Sequence, residues 1–493
     1  MALSRILIAG LRGGSGKTMV SLGLIASWRN RGTAVSPFKK GPDFIDAGWL
    51  ALAAGRPCHN LDSFLISPET ILSSFISHTS GADIADISVI EGNRGLFDGL
   101  DVDGTTSTAE LARLLRTPVV LVVDCTKSTR TIAAIILGCI HFSSDVHIAG
   151  VVLNRIAGPR HKSVITGAVE RYCHVPVLGA IPKLKENVFP ERHMGLVPTP
   201  EHGWATRSLD RAAQVAEQHL DLDGLLTIAE QASDLPLSHP GPVGRSPINL
   251  GTAASHAPEP NRPNRSQSDG SPSPIGQTRI GVIRDAAFQF YYPENIEALV
   301  QAGAQVVEIS ALTDHRLDHL DGLYIGGGFP ETQAEGLAAN EPFRRALCHL
   351  AQGGLPVYAE CGGLMYLGER LVLEGRAYPM VGLLPVVFGF SRRPQGHGYT
   401  VCEVERENPY FSVGSRIRGH EFHYSTVLSW KGDARDLAFR MDRGQGITNL
   451  RDGICYQNTL ATYVHIHALG TPGWAAALVR TSHAWRAGRQ PDR

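Results

Sequence analysis

The sequence predicts an α/β protein made of two domains joined by a flexible linker. Its 493 residues are about three times the roughly 150 of one ordinary domain. Hydrophobic residues make up 43% of the chain and charged residues 19%, which excludes a wholly disordered or fibrous protein. In both halves, continuous apolar runs alternate with helix-like stretches, a pattern typical of parallel sheets that helices cover on both faces.

Apolar runs bounded by turn signals mark the predicted strands. In the N-terminal domain, predicted at residues 1–222, they lie at 5–10, 87–92, 118–124 and 147–154. The C-terminal domain, predicted at 279–488, has such runs at 279–285, 322–328 and 356–361. Between Val381 and Trp430 the sequence is more extended, which indicates antiparallel strands.

The segment at 233–277 differs from both domains in composition. It holds nine of the chain's 30 prolines among Ser, Asn and Gly, with few large apolar residues. Such a segment cannot bury enough surface to fold, so we expect a flexible linker.

Charge and cysteine content exclude several classes of protein. Lys and Arg number 46 against 47 Asp and Glu, so the formal charge of -1 gives no general attraction to nucleic acid or anionic membranes. The eight cysteines include no CxxC pair, which favours a reducing cytoplasm over a disulfide framework. No segment approaches the roughly 18 apolar residues of a membrane span, and no signal-type cleavage pattern is present. The oligomeric state stays open, and a homodimer is compatible with the sequence.

A glycine-rich loop, Gly10 to Thr18, follows the first strand and precedes a helix-compatible run. Glycines let backbone N–H groups face phosphate oxygens, while Lys17 would reach the terminal phosphates and Thr18 would coordinate Mg²⁺. The first glycine of the general GxxxxGK[ST] pattern falls at Leu11. The loop therefore resembles the deviant phosphate loop of the partition-ATPase and dethiobiotin-synthetase superfamily, with Arg12 where some members carry a lysine. Nucleotide binding is favoured over an ordinary βα turn.

Acidic residues follow other strands of the same predicted sheet. Glu91 ends the strand at 87–92 and can reach a metal held by the phosphate loop, because both lie at the carboxyl edge of the sheet. The alternative is a solvated loop acid. Asp124 ends the next strand, and the sequence leaves open whether it is functional or caps a helix. The segment 39–46, KKGPDFID, would suit an anionic substrate or form a solvated loop.

The C-terminal domain contains a cysteine in a strand-turn-helix setting. Cys361, within VYAECGGLMYL, has the arrangement of a nucleophile elbow, and the glycines at 326–328 could complete an oxyanion pocket. His465 and His467 are candidate bases, expected on one face of a strand. A second cluster at 419–425, GHEFHYS, leaves open a base or a metal site there.

Together these motifs resemble the cobyrinic acid a,c-diamide synthase family. The resemblance covers both domains and rests on nine segments, which are AGLRGGSGKT (9–18), KKGPDFID (39–46), EGNRGLFDG (91–99), VVLNR (151–155), ERHMGL (191–196), GGGFPE (326–331), AECGGLMYL (359–367), RGHEFHYS (418–425) and YVHIH (463–467).

The resemblance implies a dethiobiotin synthetase-like, ATP-dependent amidoligase fused to a class I-like glutamine amidotransferase. Glutamine would supply ammonia at Cys361 with His465 as base, and ATP with Mg²⁺ would activate the a and c acetate carboxylates of cobyrinic acid. The implied nucleotide residues are Gly14, Gly16, Lys17, Thr18 and Asn154. The implied metal ligands are Thr18, Glu91 and Asp43. The implied substrate residues are Lys40, Phe44 and Asp46, and the oxyanion residues are Gly327, Gly328 and Gly362.

Departures from the family pattern leave alternatives open. Phe44 replaces a frequent Tyr, and His467 stands where a class I triad has its acid. The same chemistry could act on hydrogenobyrinic acid or nickel sirohydrochlorin. Cobyric acid synthase is a further relative, which the segments at 419–425 and 463–467 disfavour. From other classes, the chain could be a partition-like ATPase switch with an inactive glutaminase-like domain, or a stand-alone glutamine hydrolase.

Overall fold

The computed structural model describes residues 3–80, 84–184, 191–192, 195–196, 205–235 and 277–489. The chain forms two α/β units, as the sequence predicts. Residues 236–276 of the predicted linker lie outside the described residues, so its flexibility stays a prediction.

Seven parallel strands form the N-terminal sheet, in the order β3-β2-β4-β1-β5-β6-β7. Their bounds are β1 Arg5–Gly10, β2 Val35–Lys40, β3 His59–Leu61, β4 Ile87–Glu91, β5 Val119–Asp124, β6 Ile148–Ile156 and β7 Val177–Pro182. Alternate residues of one strand enter different cores, since Leu7 packs on one face and Ile6 and Ile8 pack on the other. Burial on both faces explains why these strands are continuously apolar.

Helices cover both faces of this sheet. They are α1 Lys17–Asn30, α2 Phe44–Ala54, α3 Pro68–Thr79, α4 Thr108–Leu114, α5 Thr131–Phe142, α6 Pro159–Cys173, α7 Ala205–His219 and α8 Leu222–Glu230. Helix α8 lies beyond the predicted domain end at 222, and its Leu225 and Ala229 pack in the N-terminal core. Two short strands, β8 Glu191–Arg192 and β9 Gly195–Leu196, pair with each other.

The C-terminal unit is built on a six-stranded sheet that is parallel except at one edge. Its order is β12-β10-β13-β15-β25-β24. The bounds are β10 Thr278–Ile283, β11 Phe288–Phe290, β12 Ala304–Ile309, β13 Gly322–Ile325, β14 Gly327–Gly328, β15 Val357–Glu360, β24 Ile454–Tyr456 and β25 Thr459–Thr462, where β11 and β14 form a separate pair. Its helices are α9 Pro293–Gln301, α10 Ala334–Ala339, α11 Glu341–Gln352, α12 Gly362–Leu367 and α13 Trp474–Arg489.

Two mainly antiparallel sheets complete this unit, which confirms the extended prediction for 381–430. The first contains β16 Arg370–Leu373, β17 Arg376–Pro379, β18 Val386–Phe390 and β21 Ser425–Trp430. The second contains β19 Gly396–Val404, β20 Arg416–His423, β22 Phe439–Arg443, β23 Arg451–Asp452 and β26 His465–Ile466. None of the helices in the described parts of the chain is both long and apolar enough to cross a membrane.

Polar contacts join the two units. The Asn60 backbone N–H donates to Glu294 Oε1 at 3.2 Å, and the Tyr399 hydroxyl donates to Asp62 at 2.8 Å. Glu297 on α9 lies with one carboxylate oxygen 2.9 Å from His59 Nε2 and the other 3.2 Å from His78 Nε2. These contacts join β3, the residue that follows it and the end of α3 to the C-terminal unit.

Candidate active sites

The phosphate loop has the backbone geometry that its glycines predict. Gly14 and Gly16 have φ angles of 71° and 98°, in the left-handed region that other residues rarely adopt. Gly16 precedes α1, and no side chain caps that helix start. The first N–H groups of a 14-residue helix are thus left without a side-chain acceptor, as an anion-binding loop requires.

Lys17, Thr18 and Glu91 converge beside this loop. Lys17 Nζ donates to the carbonyls of Arg12 and Arg94, at 3.2 and 2.7 Å. The Thr18 hydroxyl donates to Glu91 Oε1 at 2.9 Å, as expected of two groups that share a metal. Glu91 is fully buried, and its second oxygen, Oε2, has no hydrogen-bond partner in the structure. An orphaned buried carboxylate oxygen beside a hydroxyl fits a Mg²⁺ ligand set.

Lys39 is a site residue that the sequence analysis did not assign. Its ammonium lies 2.8 Å from Glu91 and 2.7 Å from Asp46. Burial by itself would lower the pKa of Lys39, but the two carboxylates outweigh burial and raise that pKa. Lys40, the predicted substrate residue, alternates with Lys39 along β2 and lies near Asp62, with a pKa that burial lowers. The strand register explains why Lys39 and not Lys40 contacts Glu91, because Lys39 of β2 lies directly opposite Glu91 of β4.

Asp43 and Phe44 begin helix α2 at the same edge. Asp43 Oδ1 accepts from the N–H groups of Ile45 and Asp46, both at 2.9 Å, so it caps the helix. Burial, and then the nearby Asp46, raise the pKa of Asp43 to about 7. The Phe44 ring stacks on Phe290 of the other unit, with ring centroids 5.3 Å apart. The predicted substrate segment thus lies at the domain interface.

Asn154 and Asp124 brace the phosphate loop. Asn154 Nδ2 donates to the Ser15 carbonyl at 2.9 Å, so its predicted contact with adenine stays a prediction. Asp124 lies 3.2 Å from Arg12 and 2.7 Å from Arg155. Burial opposes ionisation of Asp124, but hydrogen bonds from Thr126 and Arg155 hold its pKa at about 2. Asp124 therefore anchors the loop arginine and is not a helix cap, since α5 begins at Thr131.

Cys361 occupies a nucleophile elbow. It lies between β15 and α12 with φ 47° and ψ -95°, a strained conformation for a residue with a side chain. Burial, followed by the charges of Glu331 and Glu360, raises the pKa of the thiol, so a base is needed to form the thiolate. A Cβ on Gly362 would come 3.0 Å from the Gly328 nitrogen, which puts two predicted oxyanion glycines side by side.

His465 lies beside the glycine strand β14. A Cβ on Gly327 would come 2.4 Å from His465 Cε1, so only glycine fits there. His465 Nδ1 lies 3.4 Å from Glu360 Oε2, and both side chains are buried. Glu360 is the second residue that the sequence analysis missed, although it directly precedes Cys361 in the quoted motif. Glu360 supplies a carboxylate partner for the histidine, for which the sequence analysis named no residue.

The neighbouring histidines have different partners. His467 Nε2 lies 3.6 Å from Glu294, and its ring contacts Tyr292 rather than supporting His465 through a hydrogen bond. His420 stacks on His465 with centroids 4.9 Å apart, and burial holds the pKa of His420 well below its usual range. In the described residues, the cluster at 419–425 does not bring three metal ligands together.

Comparisons with known proteins find a matching domain in each half of the chain. Residues 6–197 match the CobQ/CobB/MinD/ParA nucleotide binding domain, and residues 279–472 match the CobB/CobQ-like glutamine amidotransferase domain. A cobyrinate a,c-diamide synthase of Magnetococcus marinus is 42% identical over 97% of each chain. The chain belongs to the cobyrinate a,c-diamide synthase family. A relative so named in Archaeoglobus fulgidus is 42% identical over 97% of this chain and 98% of its own, and one in Listeria innocua is 38% identical over 95% and 97%.

The cobyrinate a,c-diamide synthase family combines a nucleotide-binding domain with a glutaminase domain, which is the division seen here. The chain is an ATP-using, glutamine-dependent ligase of this family. The hypothesis of a switch with an inactive C-terminal domain leaves the elbow, the glycine strand and the His465–Glu360 pair unexplained.

Proposed function

We propose that this protein amidates the a and c acetate carboxylates of cobyrinic acid, using ATP and glutamine. The names of the full-length relatives support this acceptor. The observation that carries the proposal is that a phosphate loop beside Glu91 and a cysteine elbow lie in separate units of one chain. Hydrogenobyrinic acid and nickel sirohydrochlorin, which carry carboxylate arms too, are the acceptors to compare.

The glutaminase half starts at Cys361. His465 takes the thiol proton, and the sulfur attacks the glutamine side-chain carbonyl while backbone N–H groups near Gly328 and Gly362 face the developing oxyanion. Collapse expels ammonia, with the proton returned by His465, and leaves a thioester on the sulfur. Water then cleaves the thioester to glutamate and restores the thiol.

The amidoligase half turns an acceptor carboxylate into a better electrophile. The loop amides and Lys17 hold the ATP phosphates, and the acceptor carboxylate attacks the terminal phosphorus to give an acyl phosphate and ADP. Ammonia then displaces phosphate and forms the amide. Thr18 and Glu91, with Asp43 nearby, would hold Mg²⁺, which when bound offsets phosphate charge. Lys39 holds Glu91 and Asp46 in place through ion pairs.

The test is an amidation assay with wild type and Cys361→Ala, in which mass spectrometry identifies the products. Cobyrinic acid, ATP and Mg²⁺ are supplied with either glutamine or ammonia. We expect the variant to lose glutamine-driven diamide formation and to keep the ammonia-driven reaction. If wild type leaves cobyrinic acid unchanged while it amidates one of the other tetrapyrroles, the proposed acceptor is wrong. If no acceptor is amidated, the ligase function itself is refuted.

We further propose a reducing cytoplasm as the working compartment. All eight cysteines lie in the described residues and none forms a disulfide, which supports this assignment.

A further inference from the structure

A group of basic side chains surrounds Phe64, next to a cavity of about 480 Å³ between the two units. The guanidinium carbons of Arg418 and Arg443 lie 5.6 and 5.8 Å from the centre of the Phe64 ring. That ring stacks on Tyr399, with centroids 4.3 Å apart. We call Arg94, Arg418 and Arg443 the arginine rim. Arg418 lines the cavity together with Phe64, and Arg443 lies near the same ring.

Neighbouring arginines on the same sheet form ion pairs with carboxylates, whereas the described part of the chain shows no such pair for the rim arginines. Arg416 lies 2.7 Å from Asp442, and Arg440 lies 2.7 Å from Glu405. Within the parts of the chain that the structure describes, the two guanidinium groups over Phe64 have no carboxylate partner. Like charges held close together repel, so an anion bound between them would be stabilised.

Arg94 connects the rim to the phosphate loop. Its carbonyl accepts the 2.7 Å hydrogen bond from Lys17 Nζ, so its backbone touches the group that would hold the terminal phosphate. Its side chain is exposed. Its positive charge adds to burial in lowering the pKa values of Lys40 in one unit and His397 in the other. The rim therefore includes residues of both domains, with the Arg94 backbone at the phosphate loop and Arg418 at the cavity beside Phe64.

A tetrapyrrole acceptor carries more carboxylate arms than the one that reacts at any moment. Guanidinium groups bind carboxylates through paired, parallel hydrogen bonds, and the rim offers several such groups at spaced positions. We propose that the arginine rim binds the non-reacting carboxylate arms of a polycarboxylate tetrapyrrole, and so presents the reacting arm to the phosphate loop. This proposal rests on the proposed function, because it takes the acceptor class from there.

The variants Arg418→Gln, Arg443→Gln and the double variant test the rim, with Arg440→Gln as the matched control on the same sheet. Each single change is expected to raise KM for cobyrinic acid about tenfold, the effect of one lost charged hydrogen bond. KM for ATP, glutamine hydrolysis and the thermal midpoint should stay close to wild type. Added salt should weaken acceptor binding by wild type more than by the double variant.

Unchanged acceptor KM in the double variant would overturn the proposal, as would an equal loss in Arg440→Gln, which would indicate only a general charge effect. Direct binding separates this failure from failure of the proposed function. Cobyrinic acid is titrated into wild type and the double variant without ATP, and binding is followed by visible absorbance. Binding that depends on the rim without amidation would refute the function and retain the site. Binding that is equal in both proteins, or absent from both, would refute the site.

Discussion

Replacing Glu360 by Gln tests whether that carboxylate positions His465. In the structure Glu360 Oε2 lies 3.4 Å from His465 Nδ1 and accepts from the Tyr324 hydroxyl at 3.0 Å, while Oε1 accepts from the Ile466 N–H at 3.1 Å. Glutamine has the same shape. With its oxygen kept on Ile466, its NH₂ group would face the imidazole and favour the tautomer in which Nδ1 carries no proton. The other ring nitrogen would then be protonated and unable to take the thiol proton.

Within the described residues, His465 Nδ1 makes no hydrogen bond, and its 3.4 Å contact with Glu360 becomes an ion pair once His465 carries the thiol proton. Losing that charge-assisted contact costs about 1.5–3 kcal/mol. That corresponds to a fall of about 10- to 150-fold in kcat/KM for glutamine. The assay is glutamate release, with ammonia-driven amidation measured on the same samples. Tyr324→Phe is the control, because it removes one donor to Glu360 and leaves the charge, so its effect should be smaller. Wild-type glutaminase activity in Glu360→Gln would refute the reasoning, and equal losses with glutamine and ammonia would indicate a structural defect.

Three further predictions follow from other contacts. Thr18→Ala removes a predicted Mg²⁺ ligand, so amidation should fail with either nitrogen donor while basal glutamine hydrolysis persists, as a glutamate assay would show; loss of both activities would contradict this. Phe44→Ala removes a ring that stacks on Phe290 and lies 5.4 Å from the His465 ring, between the two proposed reaction centres. Ammonia should then escape, so the ratio of glutamate released to amide formed should rise, and an unchanged ratio would contradict a role of Phe44 in ammonia transfer. The Glu297 carboxylate outweighs burial and raises the pKa of His78, so the stability from this pair is complete below pH 6.5 and is lost as pH rises through the folded pKa. The difference in thermal midpoint between wild type and His78→Asn should therefore shrink from pH 6.5 upward, and a constant difference would exclude this pair as its source.

Local motifs could be predicted from the sequence because their geometry depends on neighbouring residues. The phosphate loop needs left-handed glycines followed by a helix, and the elbow needs a strand, a cysteine and small residues. Both features are contiguous in the chain, at Gly14 to Thr18 and around Cys361. Their local backbone geometry could therefore be predicted before any long-range contact was known.

The charged partners could not be predicted with the same certainty, because they depend on register. Neighbouring residues of β2 point to opposite faces of the sheet, so a shift of one residue in the register with β4 decides whether Lys39 or Lys40 meets Glu91. Glu360 ends β15, which pairs with β25, and His465 begins β26 shortly after β25. The two side chains meet only because the chain places the His465 imidazole beside the end of β15. Each partner was present in a quoted motif, but its contact is a property of the assembled sheets.

The position of Phe44 gives a physical reason for coupling between the centres. Its ring lies 5.4 Å from the His465 ring and 5.4 Å from that of His420, while the residue before it is Asp43 of the amidoligase site. Ammonia made near His465 would therefore meet an aromatic layer, which neutral ammonia crosses at far lower cost than ammonium. His420, kept neutral by its lowered pKa, provides no acid there. We therefore expect the interface to favour transfer of neutral ammonia, so opening it should release ammonia to solvent rather than slow glutamine hydrolysis.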